Sequence, residues 1–175
     1  MNDKRKSYAE SCAVLKSGGL LEGDAVPELP TRAPRYDDEE IAVSFFRTSV
    51  ADAVLENLTL PRTFFGRSEV RGVSFRGTDL SESTMNWNDF IEVDFTGTNL
   101  TRADLRSSAF DRVRFVDADL KGADLRHATF QNCDFAGADM TGARPSRGEL
   151  WTFRLSAEQR AVIDWQEPGP EPEGG

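Results

Sequence analysis

The sequence predicts an all-β solenoid, a four-sided coil wound about five times with irregular segments at both ends, and three regularities predict it. Every fifth residue from Leu55 to Met140 is Leu, Phe, Val or Met, eighteen times in succession. In a chain that is 38% apolar, such a run arises by chance with a probability on the order of 10⁻⁸, so the period is structural. Two residues before the large side chain there is usually a small one, as at Thr78, Ser83, Thr98, Ala103, Ala118, Ala123 and Ala138. Like residues then recur every twenty positions. Phe75, Phe95, Phe115 and Phe135 form one column and Phe90, Phe110 and Phe130 a second, while Leu80, Leu100, Leu120 and Met140 form a third and Met85, Leu105 and Leu125 a fourth.

A period of five fits neither a helix, at about 3.6, nor an ordinary strand, at about 2. Residues two apart on an extended segment point the same way, so the small and large residues enter the core together while the other three turn a corner. Asp or Asn stands just before the large residue at Asp79, Asp89, Asp94, Asn99, Asp104, Asp119, Asp124, Asp134 and Asp139. Short polar side chains at corners satisfy turn backbone groups. A lap of twenty residues is four such units, and about five laps stacked at about 4.8 Å make a rod about 24 Å long.

The segments Ala103-Asp104-Leu105, Ala118-Asp119-Leu120, Ala123-Asp124-Leu125 and Ala138-Asp139-Met140, with Cys133-Asp134-Phe135 as a variant, carry a further signal. They resemble the pentapeptide-repeat family, whose consensus is Ala-Asp/Asn-Leu-x-x, over roughly residues 50 to 143. The resemblance implies a right-handed quadrilateral parallel β-helix. It says far less about function, because the matching residues are scaffold.

In chain order, residues 1–36 are expected to be a disordered leader, with Pro27, Pro30 and Pro34 among polar residues. Residues 37–65 are expected to form an N-terminal cap and an irregular first coil, with Val43 and Phe45 already in register and Leu58, Leu60, Phe64 and Phe65 a degenerate lap. A solenoid end exposes an unpaired edge that needs such a cover. Residues 66–143 are the regular β-helix, which Pro145 ends. Residues 144–166 form a C-terminal cap, in which Leu150, Trp151, Phe153 and Leu155 precede a Ser156-x-x-Gln159 capping box and a short helix through Trp165. The acidic Pro/Gly tail 167–175 is expected to be disordered.

Lys4-Arg5-Lys6 before Ser11–Leu15 faintly suggests a signal peptide, but Lys16 and Gly18-Gly19 interrupt it. With no run of eighteen apolar residues, no membrane association is expected and the expected location is the cytoplasm. Of the two cysteines, Cys133 falls in the inward small column and Cys12 in the leader, so no disulfide is expected. Catalysis has little to stand on. His127 is the one histidine, no Cys-x-x-Cys or phosphate-binding loop occurs, and the regularly spaced Asp residues are corner residues. No enzyme activity, cofactor or metal is expected.

The resemblance also brings a functional candidate, the acidic mimic of duplex DNA that binds and protects type II topoisomerases such as gyrase, and net charge −9 favours it. The charge distribution weighs against it. Residues 70 to 143 hold twelve Asp or Glu against eight Lys or Arg, and eight of those acids are corner Asp. About five coils also make a shorter rod than the family's topoisomerase-binding members. Direct nucleic-acid binding would need a basic stripe that the sequence lacks. One outward column is distinctive: Arg67, Asn86, Trp87, Arg106, Arg126 and His127, with Ile91 and Val116 on neighbouring sides. An exposed Trp beside stacked Arg is the composition of a binding hot spot, the alternative being that Trp87 packs on a cap or on the N-terminal segment. The expected function is a module that binds and neutralises or modulates another protein, first an immunity-type protein against a toxin, then the topoisomerase mimic, then a purely structural scaffold. Some relatives dimerise through the C-terminal coil, so a homodimer through that cap is a further expectation.

Overall fold

A computed structural model describes residues 4–35, 40–148 and 154–166 of this chain. Helix α1 (Tyr8–Ser17) precedes strands β1 (Ser49–Ala51), β2 (Glu69–Arg71), β3 (Asp89–Ile91), β4 (Ala109–Asp111), β5 (Asp124–Leu125), β6 (Thr129–Gln131) and β7 (Arg144–Pro145), and helix α2 (Ala157–Val162) follows. Strands β1, β2, β3, β4 and β6 pair in parallel with a register of twenty residues, as Val50 to Val70 and Phe90 to Phe110. The other three faces are ladders of single bridges in the same register, such as Val54 to Ser74, Thr59 to Asp79 and Thr84 to Asp104, the last of which continues into the parallel pair of β5 and β7. The result is the four-sided parallel solenoid of about five coils.

The corners explain the period of five. The residue two after each large one has positive φ at every corner from Arg47 to Gly142, at fourteen non-glycine residues and six glycines. On several faces this residue is the third of a tight turn, in which Phe75 O accepts from Thr78 N and Phe95 O from Thr98 N, each at 3.0 Å. A turn of that kind requires positive φ at its third residue. The preceding Asp or Asn locks the same corner, since Asp94 Oδ1 accepts from Thr96 N at 2.9 Å and Asp139 Oδ1 from Thr141 N at 3.0 Å. Asp79, Asn99, Asp104, Asp119, Asp124 and Asp134 do likewise.

Inside, the twenty-residue columns become stacks. Phe75, Phe95, Phe115 and Phe135 stack at 5.3, 5.4 and 4.9 Å between ring centroids, and Phe90, Phe110 and Phe130 at 5.0 and 4.9 Å. The two stacks meet edge to face, as at Phe110 and Phe115, 5.5 Å apart. Buried polar members of the small column tie coil to coil: Thr78 Oγ1 donates to Leu55 O at 2.6 Å, and Asn88 Nδ2 to Phe65 O at 3.0 Å. Such bonds remove the penalty of burying a polar group.

The ends differ from expectation. Residues 4–35 of the leader are ordered: Ser7 and Glu10 form a reciprocal capping box, and α1 buries Cys12 and Leu15 completely. It covers the open end of the first coil, whose Thr59 N donates to Ser11 Oγ at 2.8 Å and whose Asn57 O accepts from Lys6 N at 2.7 Å. The N-terminal cap is therefore the leader rather than residues 37–65. From Ser44 onward those residues join the regular ladder, with Leu58, Leu60, Phe64 and Phe65 buried.

Pro145 does not end the repeat. It is buried in β7, and residues 162 to 166 add a further row beneath, with Asp164 N donating to Ala143 O at 2.9 Å and Gln166 N to Pro145 O at 3.0 Å. Proline removes only its own donor from that row. Helix α2 begins at the expected capping box, with Ser156 Oγ accepting from Gln159 N, but stops at Val162 because the chain must extend to join the ladder. Gln159 Nε2 also donates to Phe135 O and Ala138 O at 2.8 and 3.0 Å, closing the lower edge. The expectations for Leu150, Trp151 and Phe153 and for the tail 167–175 lie outside the described residues. Cys133 and Cys12 are both free, and Cys133 is half-buried. Among the described residues no helix is long and apolar enough to cross a membrane.

Phe110→Ala removes a ring from the middle of a stack. It is expected to lower the unfolding free energy by about 3–5 kcal/mol, measured by denaturant titration, whereas Asp111→Asn beside it, which loses only a surface ion pair to Arg112, changes stability by less than about 1 kcal/mol.

Candidate functional site

On the face that carries β5 and β7, the register sets Thr84, Asp104, Asp124 and Arg144 above one another. Asn86, Arg106 and Arg126 form the adjoining column, and Arg67 and Trp87 occupy corners beside it. The leader crosses this face. Pro30 O accepts from Arg62 Nη1, and Pro34 O from Thr84 Oγ1. Residues 32–35 thereby form the outer wall of a 730 Å³ groove whose floor is the Arg and Asp columns.

Seven arginines (Arg32, Arg35, Arg67, Arg102, Arg106, Arg126 and Arg144) and two aspartates (Asp104 and Asp124) line it. Each aspartate bonds the arginine two residues on in two-pronged fashion. Arg106 Nε and Nη2 donate to Asp104 at 2.8 and 2.7 Å, and Arg126 Nε and Nη2 to Asp124 at 2.9 and 2.7 Å. Planar guanidinium forks suit this geometry. Asp124 is the hub: Arg144 Nη2 also donates to it at 3.1 Å, Arg106 lies 3.9 Å away, and its side chain is only 8% exposed. Burial alone would raise its pKa. The side-chain and backbone bonds from Arg126 and the charges of Arg126 and Arg144 outweigh burial and hold it below the ordinary carboxylate value. The bond to Asp104 likewise keeps Arg106 protonated, raising its pKa against burial.

Trp87 stands at the N-terminal end of the groove, 40% exposed, at a corner with φ 57°. Positive φ is the rule at these corners, and Trp87 is the one corner residue from Arg47 to Gly142 with a large aromatic apolar side chain. Beside the groove, Glu82 takes ion pairs from Arg62 at 2.9 Å and from Arg102, and the Arg62 bond is the main reason that its pKa is lowered.

Of the residues singled out from the sequence, Trp87, Asn86, Arg67, Arg106 and Arg126 meet in the groove. His127, Ile91 and Val116 do not line it. His127 is half-buried at a corner, its N–H donating to Ser146 Oγ at 3.2 Å, and Ile91 and Val116 are half-buried on neighbouring faces. Asp124 and Arg144 were not among the expected site residues, although carrying the period of twenty from Asp104 reaches both. Nothing in the sequence marks the 32–35 wall. Among the described residues, no group of three or more His, Cys, Asp or Glu could hold a metal ion. Burial pushes the Cys133 thiol up to about 11, away from the reactive thiolate.

The family model described as Pentapeptide repeats matches in eight copies over residues 68–106, 89–126 and 108–144. No curated protein matches the chain. Among solved structures, the chain is similar to HetL, a pentapeptide repeat protein involved in heterocyst differentiation regulation from the cyanobacterium Nostoc sp. strain PCC 7120. That likeness has a TM-score of 0.56 at 16% identity and covers 58% of this chain and 48% of HetL, so the chain spans about half of that protein's length. A pentapeptide repeat protein of the Arabidopsis thaliana thylakoid lumen is 25% identical over 71% of this chain and 82% of its own, with a TM-score of 0.29. QnrB1, a plasmid-mediated fluoroquinolone resistance protein, is 20% identical over 59% of this chain and 57% of its own, with a TM-score of 0.34. The likeness to HetL is one of fold.

Asp124→Asn leaves three guanidiniums around a neutral group and is expected to cost about 3 kcal/mol at pH 7. Because the folded pKa of Asp124 is depressed, its contribution is fully present above about pH 4, the unfolded value, and is lost as the pH falls through the lower folded value. The gap in melting temperature between wild type and variant should therefore close on acidification below about pH 4, as followed by circular dichroism.

Proposed function

This chain is a pentapeptide-repeat protein through residues 68–144, and we propose that it is a non-catalytic module that binds and modulates another protein, with the arginine groove as its contact surface. Trp87 carries this reading. At the other nineteen corners stand glycine or a polar residue, and holding an L-residue at positive φ costs about 1–2 kcal/mol. Turn geometry does not account for an indole, and burial does not either, since 40% of it faces solvent. An exposed Trp flanked by Arg supports a binding surface.

Within that class, an immunity-type partner, a toxin that the rod occludes, is the first reading. Its support is a stiff scaffold with a local patch of mixed charge and two elaborated ends. The acidic mimic that occupies a type II topoisomerase is the second, favoured by the net charge of −9. Such a mimic needs one continuous acidic face, and here the acids are locally matched. Glu82, Glu92 and Asp111 are ion-paired to arginine, and Lys121 bridges Asp119 and Asp139 at 3.1 and 2.9 Å.

The test is capture of partners by the tagged chain from its own cells, with Trp87→Gly as the control. Glycine relieves the corner, so the melting temperature should stay or rise, while affinity for the partner should fall by about 30-fold, equivalent to about 2 kcal/mol. Capture of gyrase or topoisomerase IV subunits, undiminished by Trp87→Gly, would support the mimic. A partner bound equally by both chains removes Trp87 from the surface.

A further inference from the structure

Two aromatic rings break the repeat on the face that carries β5 and β7. Phe64 stands in the outward column of Ser44, Thr84 and Asp104, yet only 2% of it is exposed. Its ring lies 5.9 Å from that of Phe46, and both rings cover Gly66, where an added Cβ would fall 2.6 Å from Phe64 Cζ and 2.9 Å from Phe46 Cδ2. Gly66 heads the column that continues as Asn86, Arg106 and Arg126, so in this row a polar side chain has given way to an aromatic shelf. Thr84, one row on, is also outward and buried.

The leader crosses this shelf. Pro34 lies beside Gly66 and Thr84, and the carbonyls of Pro30 and Pro34 accept from Arg62 Nη1 and Thr84 Oγ1. Burial along the crossing recurs every three residues: Pro27 and Ala33 are half-buried and Pro30 is buried, while the residues between them are exposed, and Pro34 completes the contact. A polyproline helix has three residues per turn, so this period lays one edge of such a helix on the rod. We propose that Phe64, Phe46 and Thr84 form a docking seat for extended, proline-bearing segments, which residues 26–35 occupy in cis and which a partner's segment of the same kind enters by displacing them. Aromatic surfaces are the usual receptors of proline-rich segments. Proline supplies a carbonyl acceptor and no N–H, and the seat answers with donors, the Arg62 guanidinium and the Thr84 hydroxyl.

The strap is built to leave without undoing the rod. Helix α1 is anchored by itself, through buried Cys12 and Leu15 and through the bonds of Lys6 and Ser11 to the first coil, so the end stays capped when residues 26–35 lift. Within the strap, Val26 and Leu29 are 46% and 41% exposed and add little packing. Phe46 is 37% exposed beside it, an open edge of the shelf that an incoming segment meets first. A tethered segment holds its seat at an effective concentration in the millimolar range. Displacement therefore selects a partner segment that adds contacts of its own, at Phe46 or in the adjoining groove.

The test is hydroxyl-radical footprinting of the full chain, read at Phe64, at Phe46 and at the fully buried Phe75. In wild type, Phe64 should be oxidised as little as Phe75. In P27A/P30A/P34A it should rise to the level of Phe46 while Phe75 stays protected. A synthetic peptide with the sequence of residues 26–35, added at millimolar concentration, should return Phe64 to the wild-type level, and the same peptide with alanine at its three prolines should not. Equal protection of Phe64 in wild type and variant, or a peptide that restores nothing, would overturn the seat, and protection by both peptides would overturn proline recognition. If the triple variant also exposes Phe75, the rod has unfolded, and Thr84→Val, which removes only the bond to Pro34, takes its place with the same expectations. Trp87→Gly should leave Phe64 as protected as in wild type, so failure of the seat shows at Phe64 and failure of the arginine groove as a contact surface shows at Trp87.

Discussion

A residue at positive φ every fifth position is the constraint on which this rod depends. From Arg47 to Gly142 the chain meets it at twenty successive corners, and the corners take Arg, Glu, Asp, Asn, Ser, His and Trp as well as Gly. Four corners close a lap, so residues twenty apart become neighbours across a parallel hydrogen-bonded ladder. That register makes Phe75, Phe95 and Phe115 a stack rather than a cluster. It also lets Thr78 and Asn88 bond to the coil above from inside the core. The ladder and the ring stacks offset the strain of the non-glycine corners, because the N–H groups of each row donate to carbonyls of the neighbouring rows.

The same register sorts charge. Arg62, Glu82 and Arg102 are far apart in sequence and vertical neighbours in space, as are Glu92 and Arg112, and Asp119 and Asp139 with Lys121 between them. A formal charge of −9 is therefore not a field spread over the rod. Most of the acids on the coils are bound to their own corner or to an arginine one row away. On one face arginines gather, because Arg126 and Arg144 converge on the nearly buried Asp124 with Arg106 close by, and Arg32 and Arg35 of the leader line the same groove.

Much of this was legible in the sequence because repetition turns spacing into geometry. The large column, the corner Asp residues, the coil of twenty and the Ser156-x-x-Gln159 cap follow from the register, and so does the meeting of Trp87, Asn86, Arg106 and Arg126. What lies outside the repeat was harder to place. Ser7-x-x-Glu10 carries the same helix-start signature as Ser156-x-x-Gln159, with Tyr8, Cys12 and Leu15 at helical spacing behind it, but Pro27, Pro30 and Pro34 gave the leader the look of an unstructured segment. Pro145 suggests a terminator by its missing donor, yet one lost bond does not end a row that has others. Register also gives a direction without a neighbour. It pointed His127, Ile91 and Val116 outward and could not say that the wall of the groove is built over Trp87's face instead.

Hydroxyl-radical footprinting of the chain with and without its captured partner tests most directly whether the arginine groove, rather than the rod's overall acidity, is the contact surface. Trp87 and Val54 are both exposed, at 40% and 71%, and Val54 lies on another face. The account predicts that partner binding suppresses oxidation at Trp87 and leaves Val54 unchanged. Unaltered oxidation of Trp87 with protection elsewhere on the rod would contradict it.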